Sequence, residues 1–195
     1  MSFLSREQLF KLYSSGLSMM DIAKLKEVSL HKVAYWMEKY GINKRSQSEA
    51  TYTKKHPNGD PFQFNVPKNI ETAKLLGLGL GLYWGEGTKA NKSAVRLGNT
   101  DPELIKNFIT FLTKIFNVKK DDLRFGLQIF TDISPLVAIE YWMNKLQIEK
   151  KQFYKTIITK SGSLGTYRKK SQYGVLTVYY LNKKLRDLLV GMLPK

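Results

Sequence analysis

Residues 75–89 read LLGLGLGLYWGEGTK, with glycines at positions 77, 79, 81, 85 and 87 among leucine, tyrosine and tryptophan. A phosphate-binding loop of the Gly-x-Gly-x-x-Gly type is excluded, because no register of these glycines places the third one correctly. A buried strand would alternate leucine with glycine and leave one face bare, which weakens a sheet. A helix is favoured, since Gly77, Gly81 and Gly85 then follow at intervals of four residues and form one stripe without side chains.

Such a stripe predicts that a second helix backbone packs closely against this one. Each glycine in a helix interior costs about 1 kcal/mol relative to alanine, and dispersion contacts along two paired helices can offset that cost. Leu75, Leu78 and Leu82 are expected to enter the core of their own domain. Glu86 would emerge at the end of the paired helices, beside its counterpart. Two carboxylates brought together repel unless a cation lies between them, which predicts a divalent-metal site.

A simpler alternative exists for the same residues. Glu86 would then be a solvated acid at the end of a helix, and the glycine stripe would be a tight turn within one chain.

The charge of the whole chain points to a polyanionic partner. Its 195 residues include 32 Lys+Arg against 16 Asp+Glu, a formal net charge of +16, and 43% of them are hydrophobic, enough for a core. Nucleic acid is the first expectation and an anionic membrane surface the second, while a merely basic protein is the alternative. The chain has no cysteine, which excludes disulfides and thiolate metal sites. No signal-peptide pattern or spanning apolar run is present, so a cytoplasmic, nucleoid-associated protein is expected.

The order of predicted elements indicates an α+β protein preceded by a small all-α domain. Residues 1–44 show three short helical periods, and residues 45–67, which hold three of the six prolines, are typical of a basic linker. Residues 68–195 mix both periods. Beyond the glycine-rich helix, strands are predicted over Lys92–Asn99, Leu123–Phe130, Gln152–Thr159 and Gly174–Tyr180, and helices over Asp101–Phe116, Pro135–Leu146 and Asn182–Leu193.

The run GLSMMDIAKLKEVSLHKVAYWMEKYGI, residues 16–42, has the spacing of a helix-turn-helix. With Val33, Trp36 and Met37 directed inward, the predicted third helix presents short polar and aromatic side chains suited to base edges and, at the lysine, to phosphate. The adjoining basic pair is suited to an arm in the neighbouring minor groove. A three-helix scaffold with a solvated outer face is the alternative. The expected DNA contacts here are Ser29, His31, Lys32, Tyr35, Lys44 and Arg45.

Two resemblances follow from these motifs. Residues 16–42 resemble the helix-turn-helix modules of bacterial recombinases and regulators. The segment GLGLYWGEG, Gly79–Gly87, resembles the signature helix of the LAGLIDADG family of homing endonucleases: Gly81 and Leu82 match its glycine and leucine, Gly85 its small residue, and Glu86 with Gly87 its terminal acid-glycine pair. The family's more common acid is Asp. The alternation of strands and helices after the motif also resembles the family, over roughly residues 70–193.

The LAGLIDADG resemblance implies a specific architecture and activity. It implies a saddle of helices over a curved antiparallel sheet, a homodimer joined by the Gly77, Gly81 and Gly85 stripe, and Mg²⁺ held by Glu86 and the Gly85 carbonyl. The implied activity is metal-dependent hydrolysis of double-stranded DNA at a specific, pseudo-palindromic site. Lys155, a cation within a predicted strand, is the candidate basic residue at the scissile phosphate.

The basic positions of the predicted sheet and of the loop after it are further candidate DNA contacts. They are Arg96, Arg124, Gln128, Arg168, Lys169 and Lys170. Charge runs of this kind are otherwise simply solvated.

A second class of function uses the same features without cleavage. The LAGLIDADG-type core also occurs, joined to a helix-turn-helix, in sporulation regulators that have lost the acids, so a non-catalytic transcriptional regulator is the alternative. Retention of Glu86 favours the endonuclease. RNA binding or maturase activity is a third option.

Overall fold

The computed structural model describes residues 4–161 and 172–194, and two compact units divide the chain at residues 61 and 62. The candidates Arg168, Lys169 and Lys170 lie outside the described residues. None of the helices in the described part of the chain is long and apolar enough to cross a membrane.

Residues 1–61 form a helical unit, and its three predicted helices are confirmed. Serine hydroxyls cap them: Ser5, Ser18 and Ser29 each accept a hydrogen bond from the backbone N–H three residues later. The turn between the second and third helices contains Glu27 at a positive φ of 51°, and Val28 N–H closes it on the Ala23 carbonyl at 3.0 Å. The helices are α1 (Arg6–Ser14), α2 (Met19–Leu25), α3 (Leu30–Lys39) and α4 (Gln47–Lys55).

Apolar side chains from the first three helices build the core of this unit. Leu9, Ile22, Val33 and Met37 are fully buried, and the small Ala23 is buried where α2 packs against α3. The helical spacing of these residues in the sequence therefore predicts correctly that they are buried.

Residues 62–195 form an α+β unit, as the sequence predicted. Its elements are α5 (Ile70–Glu86), β1 (Val95–Asn99), α6 (Pro102–Ile115), β2 (Arg124–Phe130), α7 (Pro135–Leu146), β3 (Ile157–Thr159), β4 (Val175–Tyr180) and α8 (Lys183–Gly191).

The four strands form one sheet in the order β1-β4-β2-β3. β4 is antiparallel to both β1 and β2, whereas β3 is parallel to β2. The expectation of a wholly antiparallel sheet is therefore wrong. The connection from β2 to β3 includes α7, and such a crossover lets consecutive strands run in the same direction.

Helices and alternate strand residues share the core of this unit. Val95, Leu97, Phe125, Leu176 and Val178 are fully buried on the inner face of the sheet, and α6 adds a stripe of buried isoleucine, phenylalanine and leucine. The residues between them on the strands point to the other face of the sheet, which is half-buried or exposed.

Of the strand predicted over Gln152–Thr159, only the last three residues form a strand, which is β3. Gln152 lies instead in a 3₁₀ turn and is 3% exposed, and its amide donates to the carbonyls of Lys120 and Leu123 at 2.9 and 3.3 Å. A buried amide must satisfy its hydrogen bonds, and this pair of acceptors keeps Gln152 in the turn. Phe153 then makes an isolated bridge with Phe125 of β2, and the continuous strand begins only at Ile157. Lys155 consequently precedes the strand and is exposed, contrary to its expected place within it.

Residues 45–67 contain ordered structure. Their first half forms α4, and Phe62 to Asn65 lie along the end of α6, where Gln63 N–H donates to the Phe116 carbonyl at 2.9 Å and Asn65 N–H to Ile115 at 2.7 Å. Phe64 stacks on Phe116 with ring centroids 5.4 Å apart. This short strap belongs to the second unit.

Candidate metal site and nucleic-acid interface

The glycines of α5 divide into two kinds. At Gly79 a Cβ atom would lie 2.1 Å from Cγ of the buried Phe111, so this glycine allows α6 to pack against α5. At Gly77, Gly81 and Gly85 a Cβ atom would meet nothing within 4 Å. The predicted stripe is therefore present on the helix and lies on its open side.

The open side of α5 is also apolar. Ile70, Leu78 and Trp84 are 74%, 47% and 57% exposed. Leu75 and Leu82 are half-buried against the core as expected, but the expectation for Leu78 is wrong. Gly79 and Tyr83, one turn apart, occupy the inward positions of this stretch and leave Leu78 turned outward.

Glu86 is the last residue of α5 and is exposed. The next residue, Gly87, is buried and forms a bridge with Leu97 of β1, so the helix ends against the sheet. A Cβ atom at Gly87 would lie 2.3 Å from both the ring and the carbonyl oxygen of Tyr83, which explains why only glycine fits. This contact between the end of α5 and β1, called the joint below, fixes the position of Glu86 at the end of the helix.

Arg186 of α8 supports the same joint, and sequence reasoning missed it. Its side chain is 13% exposed, and it donates to the Lys89 carbonyl and to Asp187 Oδ1, the latter at 2.8 Å. Tyr83 is fully buried, and burial raises the pKa of its hydroxyl. Three polar atoms of the described side chains are buried without a hydrogen-bond partner: Tyr83 Oη and Arg186 Nε at this joint, and Arg96 Nε on β1. The sequence signal for this contact is a single arginine among the leucines of α8.

The donor set at this joint suits half of a divalent-metal site. A carboxylate and a main-chain carbonyl at a helix end are hard oxygen ligands of the kind Mg²⁺ accepts, together with water. Within the described ranges, no group of three histidine, aspartate or glutamate residues could hold a metal ion. Glu86 and the Gly85 carbonyl of one chain would therefore need the same two groups from a second chain.

The outer face of the sheet gathers three of the predicted DNA contacts. Register pairs Tyr179 of β4 with Arg96 of β1 on one side and Arg124 of β2 on the other, so the three side chains form one row. The Arg96 guanidinium lies 5.1 Å from the Tyr179 ring centroid, and Arg124 Nη1 donates to the Asp121 carbonyl at 2.7 Å. Gln128 lies two positions further along β2 from Gly126, and its amide donates to Thr159 at 3.3 Å.

Glycines in the next row of this face make room for side chains of β4. Gly98, Thr177 and Gly126 are paired across the sheet, and a Cβ atom at Gly126 would lie 3.0 Å from the Tyr179 ring. The ring therefore extends over Gly126, and Tyr154 meets it edge-on with centroids 5.5 Å apart. This face therefore carries two arginine side chains and a pair of tyrosine rings, of which Tyr154 is 42% exposed.

In the helical unit, the predicted contacts on α3 share an exposed face. His31, Lys32 and Tyr35 are exposed, and Ser29 caps the helix by accepting from Lys32 N–H at 3.3 Å. Lys44 is exposed as well.

Arg45 has a different environment from its neighbour. Its guanidinium lies 4.0 Å from the Tyr13 ring centroid and donates to the carbonyls of Tyr13 and Gly16, while its own N–H donates to Tyr13 Oη at 2.8 Å. Arg45 thus closes the carboxyl end of α1 and is not a free arm.

No protein-family model, curated protein or solved structure matches the chain. The inference of function therefore depends on the residues and geometry described above.

Proposed function

We propose that the chain is a homodimeric, Mg²⁺-dependent DNA endonuclease of the LAGLIDADG type. The observation that carries the proposal is the pairing of two features on α5. Its glycine stripe is open on the outer side of the helix, and the exposed Glu86 ends the same helix against the edge of the sheet.

The open stripe supports the dimer. Each of the three glycines lowers helix stability by about 1 kcal/mol relative to alanine. Within one chain no close packing compensates for this loss, because a Cβ atom at each position would meet nothing within 4 Å. Packing against the same stripe of a second copy, about a twofold axis, supplies contacts to both helices. It also covers apolar side chains such as Ile70 and Trp84, which are 74% and 57% exposed in the single chain.

The same packing would bring two Glu86 carboxylates together at the twofold axis. Each chain would hold Mg²⁺ through Glu86 and the Gly85 carbonyl. The metal, when bound, supplies an activated water and stabilises the departing oxygen in phosphodiester hydrolysis. Gly87 and Arg186 keep the joint in place. Lys155, exposed ahead of β3, stays the candidate cation for the scissile phosphate.

The sheet face and α3 would divide the recognition of DNA. Arg96 and Arg124 are suited to phosphates or guanine edges on a duplex lying across the sheet. Gly98 and Gly126 leave room on this face for the side chains of Thr177 and Tyr179, which place the tyrosine ring between the two arginines. The exposed face of α3, with Lys32 and Tyr35, would read an additional stretch of sequence in a major groove.

A transcriptional regulator that binds DNA without cutting is the second candidate. The observation in its favour is the helical unit, whose exposed α3 face would read DNA, a task that cleavage itself does not require. It shares the charge, the dimer and the sheet face with the endonuclease.

Cleavage of a randomised plasmid library in Mg²⁺ tests the proposal directly. The expected result is linear plasmid that carries one recurring sequence with partial twofold symmetry. Recovery of a recurring bound sequence that is never cut, in either Mg²⁺ or Mn²⁺, would favour the regulator instead.

A further inference from the structure

A concave pocket lies between α6 and α7, on the helical layer of the second unit. Its volume is about 310 Å³, and α6, α7 and the 3₁₀ turn that begins at Lys120 line it. None of its lining residues belongs to the outer face of the sheet or to α5. Small-molecule sites span about 300–1,000 Å³, so this volume suits a compact ligand.

Three lysines and no acidic residue line the described pocket. They are Lys106 of α6, Lys120 of the 3₁₀ turn and Lys145 of α7. Lys120 Nζ donates to the Leu146 and Gln147 carbonyls at 2.7 and 2.9 Å, so its charge offsets the negative carboxyl end of α7. The described lining therefore carries a net positive charge, which predicts an anionic ligand.

Two of the ammonium groups are free to meet that anion. The nearest acid to Lys106 is Glu103, at 4.0 Å, and both side chains are largely exposed, so their attraction is weak. Lys145 Nζ lies 5.9 Å from the Tyr141 ring centroid. Ammonium groups from two helices that line one concavity suit a phosphate group, whose several oxygens accept hydrogen bonds from both.

The two threonines that line the pocket indicate a second property of its ligand. Thr110 Oγ1 donates to the Lys106 carbonyl at 2.8 Å, and Thr113 Oγ1 donates to the Thr110 carbonyl at 3.1 Å. Because both hydroxyl protons are engaged within the helix, both oxygens offer only lone pairs to a ligand. They suit ligand hydroxyl groups, and the Gln147 amide can donate as well as accept. Among the described residues that line the pocket, none has an aromatic ring to stack on a nucleobase.

We propose that this pocket binds a small phosphorylated polyol of the sugar-phosphate class. Lys106 and Lys145 bind the phosphate, Lys120 supplies its remaining N–H, and Thr110 and Thr113 accept hydrogen bonds from ligand hydroxyls. The site does not depend on DNA cleavage.

Calorimetric titration of the full chain with glucose 6-phosphate at constant ionic strength tests the site. The expected result is saturable binding that weakens at least about tenfold in Lys106→Gln/Lys145→Gln, since two charge-assisted contacts are lost. Lys114→Gln, an exposed lysine of α6 that does not line the pocket, is the matched control and should bind within about twofold of wild type. Glucose should give no response, and inorganic phosphate should bind more weakly than glucose 6-phosphate.

Several results would overturn the proposal. Absence of saturation, or equal binding by the double variant and wild type, would show that the pocket is not the site. Equal affinity for inorganic phosphate would show that the hydroxyls are not recognised. A tenfold loss of duplex DNA affinity in the double variant, with glucose 6-phosphate binding unchanged, would assign these lysines to nucleic acid.

Discussion

At the scale of single residues, neighbouring residues of the same or similar type have different structural roles. Gly79 is a packing residue, because Phe111 occupies the space its Cβ would need, whereas Gly81, two positions later, faces outward. Lys44 is exposed, whereas Arg45 closes the end of α1. Residue type and spacing place such residues on a helix or beside it. They do not say which partner each one meets.

Gly79→Ala is expected to destabilise the second unit by roughly 1–3 kcal/mol, because the new methyl group forces the buried Phe111 ring to move. Gly191→Ala, in α8, is the matched control, since its Cβ would meet nothing within 4 Å. Urea unfolding followed by circular dichroism measures both. A Gly79→Ala protein as stable as wild type would contradict the close packing of α5 on α6.

Arg45→Ala is expected to lower the stability of the helical unit by about 1–3 kcal/mol, because it removes hydrogen bonds from a charged donor to the end of α1. Lys44→Ala should leave stability unchanged and weaken DNA binding. Thermal unfolding and gel-shift titration of both variants separate the two roles. Equal stability of the two variants would contradict the capping role of Arg45.

At the scale of elements, local signals in the sequence were sufficient for most of the fold. The helices predicted over Asp101–Phe116 and Pro135–Leu146 correspond to α6 and α7, and the three helical periods of residues 1–44 correspond to α1, α2 and α3. The strand prediction begins too early, at Gln152, because the hydrogen bonds that keep Gln152 in a 3₁₀ turn join it to carbonyls about thirty residues away in sequence. The Arg186 contact with the Lys89 carbonyl is equally non-local, and no periodicity could reveal it.

The α5 helix carries the prediction for assembly. Gly81→Leu should leave each unit folded, because Cβ at this position enters open space, but it should abolish the dimer by separating the two helix backbones. Light scattering at micromolar concentration, with circular dichroism as the folding control, is the measurement. A wild-type protein that is monomeric both alone and on DNA would contradict the dimer.

At the scale of the whole molecule, charge and the two units predict divided recognition. Deletion of residues 1–61, which keeps the Phe62–Asn65 strap on α6, should lower affinity and shorten the protected stretch of DNA without abolishing binding. Footprinting at fixed salt measures this. An unchanged footprint and affinity would show that the helical unit does not read DNA.

The central claim concerns Glu86 and is tested by Glu86→Gln. Glutamine keeps the shape of the side chain, but it places a neutral amide where Mg²⁺ requires an anionic oxygen. Cleavage should therefore fall by several orders of magnitude. DNA binding should be equal or tighter, because the loss of a carboxylate lessens repulsion of the phosphates.

The most direct measurement compares wild type and Glu86→Gln on one selected duplex, with strand cleavage followed in Mg²⁺ and affinity measured by gel shift in Ca²⁺. The account predicts that wild type cuts both strands and that Glu86→Gln binds the same duplex without cutting. Tight, specific binding by a wild-type protein that cuts neither strand in Mg²⁺ or Mn²⁺ would contradict it, and the protein would then be a regulator.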